Sequence, residues 1–415
     1  MFFRLAVKSL LNRKGSIMLT IMAMAVSIFV LLGVEHIRGQ SKQSFNSTVS
    51  GADLIVGART GSMNLLLYSV FRMGSPTNNI DWQTYQNISA NPKVAWAIPI
   101  SLGDSHKGFR VMGTTTDYFT YFSYGKKRQL SFSKGKPFEQ VFDVVLGAQV
   151  AKKLNYTLGA NIILAHGLGK TSFSMHDQSP LKVVGILAPT GTPVDQTVHV
   201  SLQGIEAVHI DWQQIANMSG GAVSQKQIQA LELELEPKSI TAFMLGLTSR
   251  MNTFRVQRDI NNYSNEPLTA ILPGVALAEL WQMMGLLENT LRLISGLILV
   301  AALLGLSAMM LASIRERKYE IHLLRVIGAP PWFLFFLVEL EALLVSFVSM
   351  LVGITGLYLS LLIAGDVLSA DFGMHIGLNI LSFNNVLFLL LVAGSTVIAA
   401  AIPSFMAYKS ASIGR

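Results

Sequence analysis

Apolar side chains recur at alternating spacings of three and four residues near the start of the stretch Val275 to Ala329. The repeating positions are Leu277, Leu280, Met284, Leu287, Leu291, Ile294 and Ile298. This spacing predicts a helix whose apolar seam packs against a partner helix. From Leu293 to Ala312 the stretch is apolar on all sides, and about 1.5 Å per residue carries it across a hydrocarbon core of about 30 Å. One continuous helix, residues 275–312, is therefore predicted to join a stalk to a membrane span.

Three further apolar runs are predicted to span the membrane. The first covers residues 16–37 and follows a basic amphipathic helix at residues 1–15. A cleaved signal peptide is the alternative interpretation, but Glu35-His36-Ile37-Arg38 stands where a small-residue cleavage site would be needed. The other two runs cover residues 332–363 and 383–403, which gives four spans in all.

Basic residues beside the spans predict which segments face the cytoplasm. Lysine and arginine occur near both termini and in the segment 313–331, whereas the loop 364–382 contains neither. The positive-inside rule therefore places both termini inside, with residues 404–415 as a cytoplasmic tail. One large domain, residues 38–274, is left outside.

The external domain carries mixed signals that predict an α+β fold. Strands are predicted where β-branched residues cluster between glycine or proline. They cover residues 94–100, 141–146, 161–165, 181–187 and 197–202. The alternation LELELE predicts a half-buried strand at residues 231–236, and helices are predicted at residues 147–154 and 239–251. Inner boundaries are placed near Gly125 and Ser219.

Composition identifies a membrane protein and excludes several classes of chemistry. With 51% hydrophobic and 13% charged residues, the 415-residue chain is too apolar for an ordinary soluble protein. Basic residues beside the spans account for much of the net charge of +8, so no nucleic-acid partner is expected. Because the chain has no cysteine, disulfides, thiolate metal sites and a cysteine nucleophile are excluded.

The sequence holds only weak candidates for catalysis or metal binding. GLGKTS at residues 167–172 imitates the end of a phosphate-binding loop, but Leu164 stands where the first glycine is needed. Histidines such as His166, His176 and His199 lack the close spacing of a zinc site and are interpreted as surface residues. No G-x-S-x-G elbow occurs. We therefore expect no enzyme activity, metal or cofactor in this chain.

Two carboxylates, Glu339 and Glu341, lie within the third span. Charge at this depth is costly unless it is paired or hydrated. Proton-coupled transport is one interpretation, and the favoured one is packing into the bundle with pairing to Arg325 or another base. Small residues in the same span predict a face on which another helix approaches closely. They are Ser346, Ser349, Gly353 and Gly356.

The charged segment ERKYEIHLLRVIGA resembles the E-x-G-x-L-R-A-x-G-A signature of the FtsX-like, MacB-type permeases of ABC transporters. The matching residues are Glu320, Leu324, Arg325, Ile327, Gly328 and Ala329. His322 and Val326 replace the usual glycine and alanine. The runs VVLGAQVAKKLNYTLGANIIL, LKVVGILAPTGTPVDQTVHV and AAIPSFMAYKSAS agree with the resemblance, which covers essentially the whole chain.

The resemblance implies a porter-like part at residues 38–125 and 219–274 and a sabre-like part at residues 126–218. It also implies a dimer, with an identical or a homologous permease, that passes no substrate through the membrane. This chain is expected to lack a fused ATPase domain, so a separate cytoplasmic ATPase would bind ATP and Mg²⁺ and dock on the segment 313–331. Residues 2–14 are a secondary contact. The expected docking residues are Arg315, Glu316, Arg317, Lys318, Glu320, Leu324, Arg325, Gly328 and Ala329.

The expected function is that of a permease in a bacterial inner membrane that passes ATP-driven conformational change to its external domain. This movement would drive efflux or extraction of a small molecule, peptide, lipid or lipoprotein. Activation of a cell-wall hydrolase is the alternative, although the external domain of about 235 residues favours transport. A proton-coupled secondary transporter is the least favoured interpretation. A periplasmic adaptor or lipoprotein and membrane lipids are further expected partners.

Overall fold

The computed structural model describes residues 2–11, 13–46, 48, 50–166, 180–208, 235–316, 319, 323, 326–372, 377–380 and 382–412. The chain forms two compact units. We call the first the bundle, made of Met1–Ser41, Met284–Val367 and Ile376–Arg415. The second is the sheet domain, made of Lys42–Met283 and Leu368–His375.

Helices and strands are numbered along the described part of the chain. The helices are α1 (Phe2–Leu11), α2 (Lys14–Asn46), α3 (Ser62–Ser69), α4 (Trp82–Ser89), α5 (Asp117–Tyr121), α6 (Ala148–Leu154), α7 (Leu202–Val208), α8 (Thr253–Asn261), α9 (Pro273–Glu316), α10 (Pro331–Phe372) and α11 (Phe383–Ser412). The strands are β1 (Leu54–Ala58), β2 (Ile80–Asp81), β3 (Val94–His106), β4 (Phe109–Thr114), β5 (Ser123–Tyr124), β6 (Arg128–Gln129), β7 (Phe132–Gly135), β8 (Asp143–Leu146), β9 (Asn161–Ile162), β10 (Ala165–His166), β11 (Leu181–Leu187), β12 (Thr197–Ser201), β13 (Ser239–Ile240), β14 (Ala242–Leu247) and β15 (Leu268–Ile271).

Among the described residues, four helices are long and apolar enough to cross a membrane, as the sequence predicts. These segments are Lys14–Lys42, Pro273–Glu316, Pro331–Ile363 and Asn385–Lys409. Helix α9 covers the whole predicted stalk and its span without a break. Its 44 residues extend about 66 Å at about 1.5 Å per residue.

Small residues bring the helices of the bundle close together. A Cβ atom added to Gly353 of α10 would lie 2.9 Å from the carbonyl oxygen of Ala25 in α2. Further along α10, the hydroxyl of Ser346 lies 3.1 Å from that of Thr396 in α11. The predicted small-residue face of α10 therefore meets two neighbouring helices.

One large sheet organises the sheet domain, with the strand order β15-β1-β14-β3-β4-β12-β8-β11-β7. The long strand β3 pairs with β14 along its first half and with β4 along its second. Most pairs are antiparallel, but β4 with β12 and β8 with β11 are parallel. Since β4 precedes Gly125 and β12 follows it, the predicted porter-like and sabre-like ranges share one sheet, and their division stays a prediction.

The prediction of a helix at residues 239–251 is wrong. This segment forms β13, β14 and a short 3₁₀ turn, Arg250–Asn252. Strand β14 lies between β1 and β3, and its residues from Ala242 to Gly246 are buried. A strand covered on both faces shows a continuous apolar run, which does not distinguish it from a buried helix.

The remaining secondary-structure predictions for the external domain agree well with the structure. Strands β3, β8, β11 and β12 overlap the predicted strands, and α6 overlaps the helix predicted at residues 147–154. The run 161–165 forms two short strands, β9 and β10. The alternating LELELE run lies mostly outside the described residues.

Helices cover both faces of the first half of the sheet. On one face, α4 and α8 contribute Tyr85 and Val256 to a core shared with Phe243 of β14. On the other face, α3, α5 and the first turn of α9 pack over the same strands, and Leu277 is buried there. Helix α9 therefore begins as part of the core of the sheet domain.

Candidate coupling site

The charged segment after the stalk span begins where α9 ends at Glu316. Gly328 has a φ of +99°, in the left-handed region that favours glycine, and Pro331 begins α10. The chain therefore turns between the second and third spans at the position predicted from Gly328 and the proline pair. Several expected docking residues lie outside the described residues. They are Arg317, Lys318, Glu320, Leu324 and Arg325.

The N-terminal segment contacts both helices that flank this charged segment. Arg13 donates to the carbonyl oxygen of Ser313 at 3.0 Å and pairs with Glu316 at 3.2 Å, both on α9. Ser9 of α1 donates to the carboxylate of Glu341 on α10 at 2.5 Å. We call these five residues the inner clamp. The inner clamp therefore connects both helices that flank the charged segment to α1 and to the start of α2.

The two intramembrane carboxylates are buried, with Glu339 8% and Glu341 2% exposed. Glu341 accepts the hydrogen bond from Ser9, and Glu339 lies beside Ser404 of α11. Sequence reasoning named a basic partner and missed both hydroxyls. Pairing with Arg325 stays a prediction, because Arg325 lies outside the described residues.

The predicted seam of α9 divides into a buried start and an exposed continuation. Leu277 is buried against the sheet domain's own core, and Leu280 and Ile298 are half-buried. The other seam residues are 39–53% exposed in the single chain. They are Met284, Leu287, Leu291 and Ile294. An apolar stripe along the middle of α9 is thus open to a partner helix, whereas Leu277 is not.

Four charged residues that sequence reasoning did not select connect α2 to α9 at the other end of the bundle. Arg38 of α2 pairs with Glu288 of α9 at 3.1 Å and also contacts Glu35 on its own helix. Arg292 of α9 lies 3.5 Å from Glu35, whose side chain is 9% exposed. We call these four residues the charge ladder. His36, next to Glu35, bonds to the carbonyl oxygen of Gly377 at 2.8 Å.

The sequence carried a signal for the two ladder residues on each helix, but none for the contacts between the helices. Glu35 and Arg38 are three residues apart, and Glu288 and Arg292 are four apart, so each pair shares one helix face at the end of a predicted span. The contact between the helices joins residues 250 positions apart and leaves no local pattern.

The interpretation of His199 as a surface histidine is wrong. His199 lies in β12 with no exposed surface, against the rings of Tyr118 and Phe119. Burial, with a smaller contribution from nearby Arg72, lowers its pKa to about 3. The side chain is therefore neutral and belongs to the core. The GLGKTS run and His176 lie outside the described residues, within which no cluster of potential metal ligands occurs.

Comparison with protein-family models identifies two parts of the chain. Residues 17–260 match the MacB-like periplasmic core domain, which is more than half of the chain, and residues 292–411 match the FtsX-like permease C-terminal model. The chain belongs to the FtsX-like, MacB-type ABC transporter permeases. The resemblance found in the sequence is thereby confirmed.

Two solved structures are similar to part of this permease. The extracellular domain of the noncanonic ABC-type transporter YknZ from Gram-positive bacteria has 10% identity and a TM-score of 0.30, with 52% of this chain and 98% of that one covered. The periplasmic region of MacB from Actinobacillus actinomycetemcomitans has 9% identity and a TM-score of 0.34, with 55% and 93% covered. No curated protein matches the chain.

Membership of the family assigns one of the two units to the extracytoplasmic side and the other to the membrane. The sheet domain is the extracytoplasmic domain of a MacB-type permease, and the four apolar helices embed the permease in a membrane. The predicted fold class is therefore confirmed. Permeases of this family are generally non-catalytic, and the family implies an ABC ATPase partner and an oligomer.

Proposed function

We propose that this permease transmits movement from a cytoplasmic ABC ATPase to its extracytoplasmic domain. The unbroken helix α9 is the observation that carries the proposal. It begins within the core of the extracytoplasmic domain, where Ala276 and Leu277 are buried, and it runs for 44 residues to Glu316. Since the backbone hydrogen bonds of α9 run along its whole length, displacement at Glu316 has an unbroken path to the domain core.

The ATPase docks on the segment 313–331 in this proposal. Two charged residues described there, Arg315 and Glu316, are exposed, and the side chain of Glu316 is 70% exposed although it pairs with Arg13. The inner clamp connects the segment to α1 and α2, so that ATPase closure moves both helices together with α9.

The exposed stripe of α9 supports assembly with a second permease copy. Met284, Leu287, Leu291 and Ile294 follow the spacing at which helices interlock their apolar side chains. A dimer brings two extracytoplasmic domains side by side. The ATP-driven movement of α9, which we call the stroke, changes their separation.

The work of the stroke in this proposal is efflux or extraction of a molecule from the extracytoplasmic side of the membrane. Proton-coupled transport is less well supported, since Ser9 holds Glu341 and Glu339 lies beside Ser404 in the packed bundle. Glu341 is then a structural contact between helices.

An insertion in the stalk tests the proposal. Two glycines placed after Asn289 soften α9, and a matched control carries them after Ser264, in an exposed loop. The chain has no cysteine, so a single Met251→Cys, at a side chain 92% exposed, gives one spin label per copy. The permease is studied with the ATPase that co-purifies with it.

We expect ATP to change the distance between the two labels in the unmodified chain and in the Ser264 insertion. The Asn289 insertion and Arg325→Glu should abolish this change while ATP hydrolysis continues. An unaltered distance change in a folded Asn289 insertion would refute transmission through a stiff α9.

A further inference from the structure

We propose that the charge ladder fixes the axial register of α9 against α2, so that the two helices do not slide past each other during the stroke. This inference rests on the proposed function and assigns Glu35, Arg38, Glu288 and Arg292 as positioning residues. The consequence is that movement travels through α2 and α9 as a pair.

The contacts show that the two helices run antiparallel. Arg38 lies level with Glu288, and Glu35 lies level with Arg292. At the other end of the bundle, Arg13 lies level with Glu316. Each helix therefore presents one glutamate and one arginine, in the order that places opposite charges side by side.

Sliding by one turn would reverse this complementarity. A turn of helix is about 5.4 Å, close to the separation of Glu288 and Arg292 along α9. Movement in one direction brings Arg292 level with Arg38, and movement in the other brings Glu288 level with Glu35. Both positions oppose like charges, and both take the buried Glu35 away from Arg292.

The inner clamp holds the same register at the opposite end. Arg13 binds the carbonyl oxygen of Ser313 as well as Glu316, so it would lose both contacts on a one-turn slide. Two attachments, one at each end of the span, leave tilting and translation of the pair as the available motions.

Spin-label distances within one copy test the register. Labels at Ile37→Cys and Leu286→Cys, both exposed and outside the ladder, report the position of α9 along α2. We expect this distance to stay the same with and without ATP in the permease bound to its ATPase. A shift close to the rise of one helical turn would overturn the proposal.

Charge reversal tests the ladder itself. Glu288→Arg opposes like charges and should shift the Ile37–Leu286 distance and abolish the ATP-dependent movement of the Met251 label. Reversing all four residues (Glu35→Arg, Arg38→Glu, Glu288→Arg and Arg292→Glu) restores complementary pairs and should recover both readouts. Asn289→Arg, which adds the same positive charge at an exposed neighbour outside the ladder, should keep them.

These readouts separate the two proposals. Absence of Met251 movement in the unmodified chain contradicts the proposed function, whereas the Ile37–Leu286 distance still reports the register. If the Met251 label moves normally but the Ile37–Leu286 distance changes with ATP, only the register proposal is overturned. A folded fourfold reversal that fails to recover the distance also contradicts the ladder.

Discussion

Different interactions stabilise the sheet domain and the bundle. In the sheet domain, strand β14 is hydrogen-bonded on both sides and buried on both faces, so register and apolar burial fix it together. In the bundle, α10 is fixed against its neighbours by the absence of a side chain at Gly353 and by isolated polar contacts such as Ser346 with Thr396. Lipid provides no hydrophobic driving force between helices, so closeness of approach and a few polar contacts must specify the arrangement. Apolar burial and strand pairing therefore specify the sheet domain, whereas close helix approach and a few polar contacts specify the bundle.

Enlarging Gly353 is expected to give the largest effect on the bundle. In Gly353→Leu the new side chain meets the Ala25 carbonyl and Ile28, and forced overpacking costs about 3 kcal/mol. Thermal unfolding of the purified permease should show a large loss of stability. Gly394→Leu is the matched control, because a Cβ at Gly394 meets nothing within 4 Å. Equal losses in the two variants would contradict the importance of close approach.

Acid is expected to weaken the sheet domain through the buried His199. Because burial lowers the pKa of His199 to about 3 from an unfolded value of 6.5, the unfolded state binds the extra proton between these values. Stability is therefore complete above pH 6.5 and falls as the pH decreases, by about 2 kcal/mol at pH 5. With exchange rates corrected for the intrinsic effect of pH, protection should fall more in β12 peptides than in α10 peptides.

The control for the acid effect is His199→Phe, which keeps a ring in the core and removes the titrating group. Its exchange should depend less on pH than that of the unmodified chain. A smaller dependence remains, since burial also lowers the pKa of His106. An unchanged slope in His199→Phe would contradict the role given to His199.

Removing the contact between Ser346 and Thr396 is expected to give the smallest effect. Thr396→Val keeps the shape of the side chain and deletes one interhelical hydrogen bond, which is worth about 0.6 kcal/mol in a membrane. Thr355→Val is the matched control, because Thr355 bonds only within its own helix among the described contacts. A loss as large as that of Gly353→Leu would mean that polar contacts dominate in the bundle.

The sequence predicted best where a single stretch carried the whole signal. Length and continuous apolarity were enough for the four spans, and Gly328 with the Pro330-Pro331 pair was enough for the turn after α9. Clusters of β-branched residues bounded by glycine or proline located β3 and β11. The failure at β14 has a physical reason, since burial on two faces removes the alternation that distinguishes a strand.

Contacts between distant segments could not be predicted in the same way. Neither Ser9 nor Glu341 indicates its partner 332 positions away, and the charge ladder joins residues from the first span and the stalk. The burial of His199 likewise depends on Tyr118, which another part of the chain brings to β12. Each of these contacts exists only once the helices and strands have been placed.

The strands that open and close the sheet domain are neighbours, and this has a mechanical consequence. Strand β1, the first after α2, pairs with β15, which ends at Ile271 just before α9 begins. A force that separated α2 from α9 would therefore act on the hydrogen bonds between β1 and β15.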